Sequence, residues 1–100
     1  MNLIKLTPKA AEAEALLKTL ANRHRLMILC ELSHGELSVS DLQQRLALSQ
    51  SSLSQHLARL RADRLVATRR AQQAIFYSLA DEDVMRIIGL LHDLYCKDAV

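Results

Sequence analysis

The sequence lacks an apolar run long enough to cross a membrane, and its first residues, Met1 to Lys5, do not open a signal peptide. It has only two glycines and two cysteines, Cys30 and Cys96, and it contains no Cys-x-x-Cys motif and no glycine-rich loop. These absences argue against a membrane protein, a disulfide-stapled secreted domain and a thiol enzyme. We therefore expect a cytoplasmic protein that is not an enzyme and whose cysteines are reduced at rest.

Length and composition predict one folded unit. Half of the 100 residues are hydrophobic and 24% are charged, which is typical of a single compact domain over residues 1–100. The formal net charge of +2 is unevenly distributed. Residues 41–80 carry six arginines against two aspartates, a net +4, whereas the rest carries seven cations against nine carboxylates, a net −2. Such a basic segment predicts contact with phosphates.

Two short helices in close succession are predicted around the start of this basic segment. Ser38 has the position of an N-cap with Asp41 three residues on, and flanking leucines complete a hydrophobic staple. Ser49 starts a second helix with the same staple geometry. Two helices joined so tightly are typical of a helix-turn-helix, whose second helix reads the major groove of DNA.

The second of these helices separates its residues by role. Leu53, Leu57 and Leu60 recur at helical spacing and are predicted to face the core. The opposite side carries short polar side chains, Gln50, Ser51, Ser54 and Gln55. Their donors and acceptors are suited to base edges, although an ordinary solvated helix face would have a similar composition.

Two β-prone runs follow, at residues 65–70 and 74–79, and predict a hairpin wing. The connection between them lacks glycine and Asn-Gly, so it does not fix the turn type. Arg69 and Arg70 are predicted to contact phosphate or the minor groove from this wing, and His56 to make a local hydrogen bond or a phosphate contact. The predicted DNA-contacting residues are Gln50, Ser51, Ser54, Gln55, His56, Arg59, Arg69, Arg70 and Gln72.

Helices are also predicted on both sides of this unit. The first begins at Pro8 with Thr7 as its N-cap, because a first-turn proline leaves no N–H unpaired. A second covers residues 23–32, behind Asn22, and buries Leu26, Leu29 and Cys30. A last helix covers residues 82–96, behind Asp81. The predicted fold is mostly α with a β-hairpin wing, in the order α-α-α-α-β-β-α.

The first and last helices carry more apolar surface than the core of so short a chain can use. We therefore expect a homodimer formed through about residues 8–20 and 82–96. A dimer would present two reading helices to double-stranded DNA with an inverted-repeat operator.

This order of elements resembles the ArsR-type winged helix-turn-helix repressors over nearly the whole chain. The resemblance is carried by residues 20–26 (LANRHRL) and 49–57 (SQSSLSQHL), and residues 91–96 (LHDLYC) are similar to the BigR/HlyU branch. The resemblance implies a homodimeric transcription factor, a repressor or an anti-repressor. It also implies sensing of reactive sulfur species or oxidants through two cysteines.

The departures from other members of this family concern metal sites. Metal-sensing relatives carry Cys-x-Cys where this chain has Ser38 and Ser40, whose hydroxyls are poor ligands for soft metals. The last helix also lacks the Asp-x-His and His-x-x-Glu spacing of a second type of metal sensor. We therefore expect no metal site and no cofactor.

Cys30 and Cys96 are the candidate redox-sensing residues. The resemblance implies that the last helix packs across the second, so that the two sulfurs could meet within one subunit. Cys96, beside Lys97, is the more accessible candidate nucleophile, and a bridge to Cys30 would move a helix and release DNA. The alternatives are an ArsR-type repressor with packing cysteines and another inducer or none, a thiol enzyme, and a winged helix used only for protein contacts.

Overall fold

The computed structural model describes residues 2–96 and shows a helical domain with one small sheet. Its elements are α1 (Leu3–Leu6), a 3-10 turn (Thr7–Lys9), α2 (Ala10–Leu20), α3 (Arg23–Leu32), β1 (Leu37–Ser38), α4 (Val39–Leu46), α5 (Gln50–Ala62), β2 (Val66–Ala71), β3 (Ala74–Leu79) and α6 (Glu82–Cys96). Helices α4 and α5 form the helix-turn-helix, and β2 and β3 form the hairpin. The predicted winged helix-turn-helix class is confirmed. Within the described residues no helix has the length and apolar character needed to cross a membrane.

Side-chain caps begin four of the helices where the sequence predicts them. The Asn22 side chain accepts hydrogen bonds from the first turn of α3, and Ser38 and Asp41 form a capping box at α4. Ser49 caps α5, and Asp81 accepts from a backbone N–H of α6 at 3.0 Å. Each cap satisfies N–H groups that have no partner inside the helix.

The predicted start of the first helix at Pro8 is wrong. Helical structure begins at Leu3, where the Asn2 side chain accepts from the N–H of Ile4 at 3.0 Å. The Thr7 hydroxyl donates to the carbonyl of Leu3 at 2.6 Å and does not cap a following helix. Asn2 is a strong N-cap, and Pro8 is tolerated near the start of the 3-10 turn because it needs no N–H partner there.

The sheet contains one strand more than the sequence predicts. Its order is β1-β3-β2, all antiparallel, with Leu37 opposite Tyr77 and Val66 opposite Leu79. β1 has only two residues, too few for a period-2 pattern to indicate a strand. The hairpin closes with Gln72 and Gln73 between the paired Ala71 and Ala74, and Gln72 has a φ of 57°.

The core lies where α2, α3, α4, α5, β2 and α6 converge. Its fully or nearly buried members are Leu20, Ile28, Leu29, Leu32, Leu42, Leu53, Leu57, Leu60, Leu65, Val66, Val84 and Ile88. The burial predicted for α3 is confirmed at Leu29, whereas Leu26 and Cys30 are only partly buried and Ile28 occupies the centre. The predicted inward face of α5, Leu53, Leu57 and Leu60, is confirmed.

Candidate nucleic-acid interface and thiol site

Helix α5 presents the predicted reading residues to solvent. Gln50, Ser51, Ser54 and Gln55 are all exposed, while the other side of the helix is anchored in the core. The exposed amides and hydroxyls are therefore free to pair with base edges. Their contact with DNA stays a prediction.

His56 lies apart from this exposed face. It is half-buried, and its ring centroid is 5.5 Å from that of His24 at the start of α3. Burial first, and then the charges of Arg25 and His24, lower the pKa of His56. The neutral form of His56 is therefore favoured at pH 7, which weakens the ionic attraction to phosphate in the predicted contact.

Arg59 points toward α2 and is already paired. Its Nε donates to Oδ2 of Asp63 at 3.1 Å, and its Nη2 donates to Oγ1 of Thr19 at 3.1 Å. A direct phosphate contact by Arg59 would have to replace these bonds. Arg59 is among the predicted DNA contacts, but in the structure its guanidinium is engaged by Asp63 and Thr19.

Arg69 is also paired in this structure. Its Nε and Nη2 each donate to a carboxylate oxygen of Glu36 at 2.7 Å, and its guanidinium carbon lies 4.6 Å from the Phe76 ring centroid. The hydrogen bonds from Arg69 lower the pKa of Glu36. Arg70 and Gln72 are exposed at the end of the wing, and among residues 2–96 no carboxylate forms a salt bridge with Arg70.

Replacing Glu36 with glutamine should strengthen binding to any duplex by a few fold. Without the carboxylate, Arg69 becomes available to a DNA phosphate, and the slope of log affinity against log salt should steepen by about 0.9. Fluorescence anisotropy at several salt concentrations measures both quantities. Glu12→Gln, at an exposed carboxylate of α2, is the control for the loss of one negative charge. Equal effects of the two substitutions would show that Glu36 does not compete with DNA for Arg69.

A surface cleft of about 550 Å³ separates the reading helix from the wing. Its polar lining includes Ser40 at the start of α4, Arg61 on α5, and Gln73 and Tyr77 of the hairpin. None of these four is among the predicted DNA-contacting residues. Helical geometry would have found Arg61. It lies eleven residues, about three turns, after Gln50 and seven residues, about two turns, after Ser54, so it shares their side of α5.

The two cysteines lie on helices that pack on each other, α3 and α6. Cys30 is half-buried in α3, and Cys96 is the last residue of α6. Burial first, then a negative charge on Cys96 and then Glu31, raise the pKa of the Cys30 thiol. Lys97 lies outside the described residues.

Cys30 opens onto a second cleft, of about 350 Å³, between α3 and α6. Met85, Ile88 and Gly89 contribute its apolar wall, and His34 and His92 lie at its polar side. Within residues 2–96 no three His, Cys, Asp or Glu side chains are grouped so that they could hold a metal ion. Because Cys30 lines this surface cleft, the cleft gives a small reagent access to the Cys30 thiol.

The fold and this site can be compared with known proteins. Residues 22–68 match the family model for bacterial regulatory proteins of the arsR family. The chain is 54% identical over 97 residues to the transcriptional activator HlyU of Vibrio cholerae, across 97% of this chain and 90% of that protein. The chain belongs to the ArsR family.

Other relatives support the same ArsR-family assignment. The chain is 44% identical over 88 residues to the biofilm growth-associated repressor of Agrobacterium fabrum, across 88% of this chain and 75% of that protein. The structure of the repressor BigR from Xylella fastidiosa has a TM-score of 0.91 at 38% identity, covering 96% of this chain and 98% of that one. Reduced HlyU from Vibrio cholerae has a TM-score of 0.87 at 53% identity, covering 92% and 97%.

This ArsR-family chain is therefore a DNA-binding transcriptional regulator and not an enzyme. Its resemblance to HlyU and BigR, predicted from the sequence, is confirmed. The thiol enzyme kept as an alternative above is ruled out by this family membership. The sensing chemistry is a separate question.

Proposed function

We propose that the protein is a cytoplasmic homodimeric regulator that binds an inverted-repeat operator and releases it when Cys30 and Cys96 react. One observation carries this proposal. The two cysteines, far apart in sequence, lie on α3 and α6, two helices that pack on each other, and the charge of Cys96 contributes to the raised pKa of Cys30. Release would derepress a target directly or end the displacement of another DNA-binding protein.

A second copy of the chain is the proposed occupant of the exposed apolar surface. Leu17 on α2 is 61% exposed, and Leu90, Leu94 and Tyr95 on α6 are 57%, 63% and 82% exposed. These residues lie within the two segments expected to form the dimer, about 8–20 and 82–96. Large apolar side chains this exposed favour burial against a partner.

The proposed reaction needs a persulfide, RS–SH, as oxidant. The Cys96 thiolate attacks the outer sulfur, forming Cys96–S–SH and releasing the thiolate RS⁻. The Cys30 thiolate then attacks the inner sulfur of Cys96, forming a disulfide and releasing HS⁻. Two thiols are oxidised and one persulfide is reduced to RS⁻ and HS⁻.

The bridge would tie the end of α6 to α3. Since α3 also packs on α5, and α6 belongs to the proposed dimer surface, the two reading helices would move relative to each other. A dimer held at the wrong angle cannot place both reading helices in successive major grooves. We therefore expect operator affinity to fall at least tenfold, which corresponds to about 1.4 kcal/mol of coupling free energy.

The experiment treats the reduced protein with glutathione persulfide and follows intact mass and operator binding together. We expect a loss of two hydrogens within one subunit and release of DNA. Cys30→Ser and Cys96→Ser should each keep DNA binding and abolish release. Because the pKa of Cys30 is raised, bridge formation should accelerate by up to about tenfold per pH unit as the Cys30 thiolate becomes populated.

One observation favours a second candidate, a regulator whose cysteines only pack. Cys30 is half-buried against the core, and its raised pKa makes it a weak nucleophile at neutral pH. Release that persists in both serine variants, or a bridge that forms without any change in affinity, would support this candidate and refute thiol control.

A further inference from the structure

A buried threonine joins three helices near the end of the reading helix. Thr19, in the last turn of α2, has no exposed surface. Its Oγ1 is within hydrogen-bond distance of two acceptors, Oδ2 of Asp63 and, at 3.2 Å, the carbonyl oxygen of Ala15 one turn earlier. It also accepts from Nη2 of Arg59 at 3.1 Å. Arg25, in the first turn of α3, donates from Nε to the carbonyl oxygen of Thr19 at 2.6 Å. We refer to Thr19, Arg25, Arg59 and Asp63 as the Thr19 cluster.

The Thr19 cluster is held by charge-assisted hydrogen bonds. Asp63 immediately follows α5, and its carboxylate also accepts from Nε of Arg59 at 3.1 Å. The hydrogen bond from Thr19 first, and the two arginines after it, lower the pKa of Asp63, so the carboxylate is charged at neutral pH. Bonds of this type are directional and stronger than those between neutral groups.

The apolar contacts among these helices are less specific. Helix α2 packs on α3, and α3 packs on α5. Packed apolar surfaces accept a range of crossing angles, whereas a buried hydroxyl with two fixed partners accepts few. The Thr19 cluster adds a direct link between α2, within the proposed dimer surface, and the C-terminal end of the reading helix.

We propose that Thr19 is a positioning residue for operator recognition, whose hydroxyl fixes the angle between α2 and α5. In a dimer this angle sets the distance between the two reading helices. The two half-sites on DNA lie about one helical repeat apart, or a multiple of it, and the distance between the reading helices must match this separation. The inference rests on the proposed homodimer and adds to it the residue that sets half-site spacing.

The experiment uses the full chain and an inverted-repeat duplex selected from a random pool by the wild-type protein. Affinity is measured for this duplex, for two duplexes whose half-sites are one base pair closer or farther apart, and for a single half-site. Thr19→Val removes the hydroxyl at nearly constant volume, and Thr19→Ser restores it. Thr7→Val is the control, since it removes an exposed hydroxyl that bonds only within α1 and its adjoining turn.

We expect Thr19→Val to lose at least tenfold in affinity for the selected duplex and to discriminate spacing by less than threefold. Its affinity for the single half-site should stay within twofold of wild type, while Thr19→Ser and Thr7→Val should retain the wild-type pattern. Asp63→Asn is the second variant in case Thr19→Val does not fold. It removes the charge of the same cluster at a side chain that is 38% exposed, and it should reproduce the spacing defect.

Two results would overturn the inference in distinguishable ways. If the wild type prefers the inverted repeat and both Thr19→Val and Asp63→Asn keep its spacing discrimination, the Thr19 cluster has only a structural role. Equal losses on the inverted repeat and the half-site would lead to the same conclusion. If the wild type binds a half-site as tightly as the inverted repeat, the proposed dimeric recognition itself fails, and the inference fails with it.

Discussion

Replacing Gln55 with alanine should weaken binding to the cognate operator by about 1–3 kcal/mol, roughly 5- to 150-fold, and change binding to random DNA little. Gln55 is exposed on α5, and its amide can both donate to and accept from one base edge. The substitution removes this readout and leaves the buried leucines of α5 in place. Anisotropy titrations with operator and random duplex at the same salt concentration measure both affinities.

Arg70→Ala is the matched control on the wing. Arg70 is exposed on β2 and is expected to meet phosphate, so its loss should weaken binding to operator and random DNA alike. The salt dependence should become shallower by about one phosphate contact. If Gln55→Ala weakened binding to all sequences equally, the assignment of the reading face on α5 would be wrong.

Replacing Leu53 with alanine should lower the free energy of unfolding by about 2–5 kcal/mol. Leu53 is completely buried between α5 and the rest of the core, so the smaller side chain leaves a cavity as well as losing apolar contact. The same change should reduce operator binding, because α5 is held in place by this packing. Denaturant unfolding at a fixed protein concentration gives the difference, since dimerisation makes stability concentration-dependent.

Leu3→Ala is the control, because it truncates an exposed leucine in the same way. Leu3 is 70% exposed on α1, outside the segments proposed to form the dimer, and its truncation should cost less than about 0.5 kcal/mol. A cost below about 1 kcal/mol at Leu53 would mean that α5 is not anchored as the structure shows.

Local signals explain why much of the helix-turn-helix could be predicted. Ser38 with Asp41, and Ser49, are caps whose effect depends on residues three positions away, so the sequence contains the whole interaction. The same local reasoning failed at Thr7. Asn2 supplies an earlier cap, so helical structure begins before Pro8.

The apolar and polar faces of α5 could also be predicted, because helical periodicity alone separates Leu53 from Ser54 and Gln55. The partner of each arginine could not be predicted. Arg59 bonds to Thr19, forty residues earlier, and Arg69 bonds to Glu36, thirty-three residues earlier. Partners at such distances in sequence become neighbours only when the chain is folded, so the basic segment indicated DNA contact without showing which arginines were already engaged.

The sequence by itself determined the class of fold, the inward leucines of α5 and the concentration of basic charge around it. It also determined the starts of the four helices behind Asn22, Ser38, Ser49 and Asp81. These features depend on short-range periodicity and capping, which the order of residues states directly. Only the tertiary structure decided that β1 joins the hairpin, that Thr19 links α2 to α5, and that α6, which ends at Cys96, packs on α3, which carries Cys30. Each of these depends on segments far apart in the chain, and their meeting is fixed by the packing of the whole core.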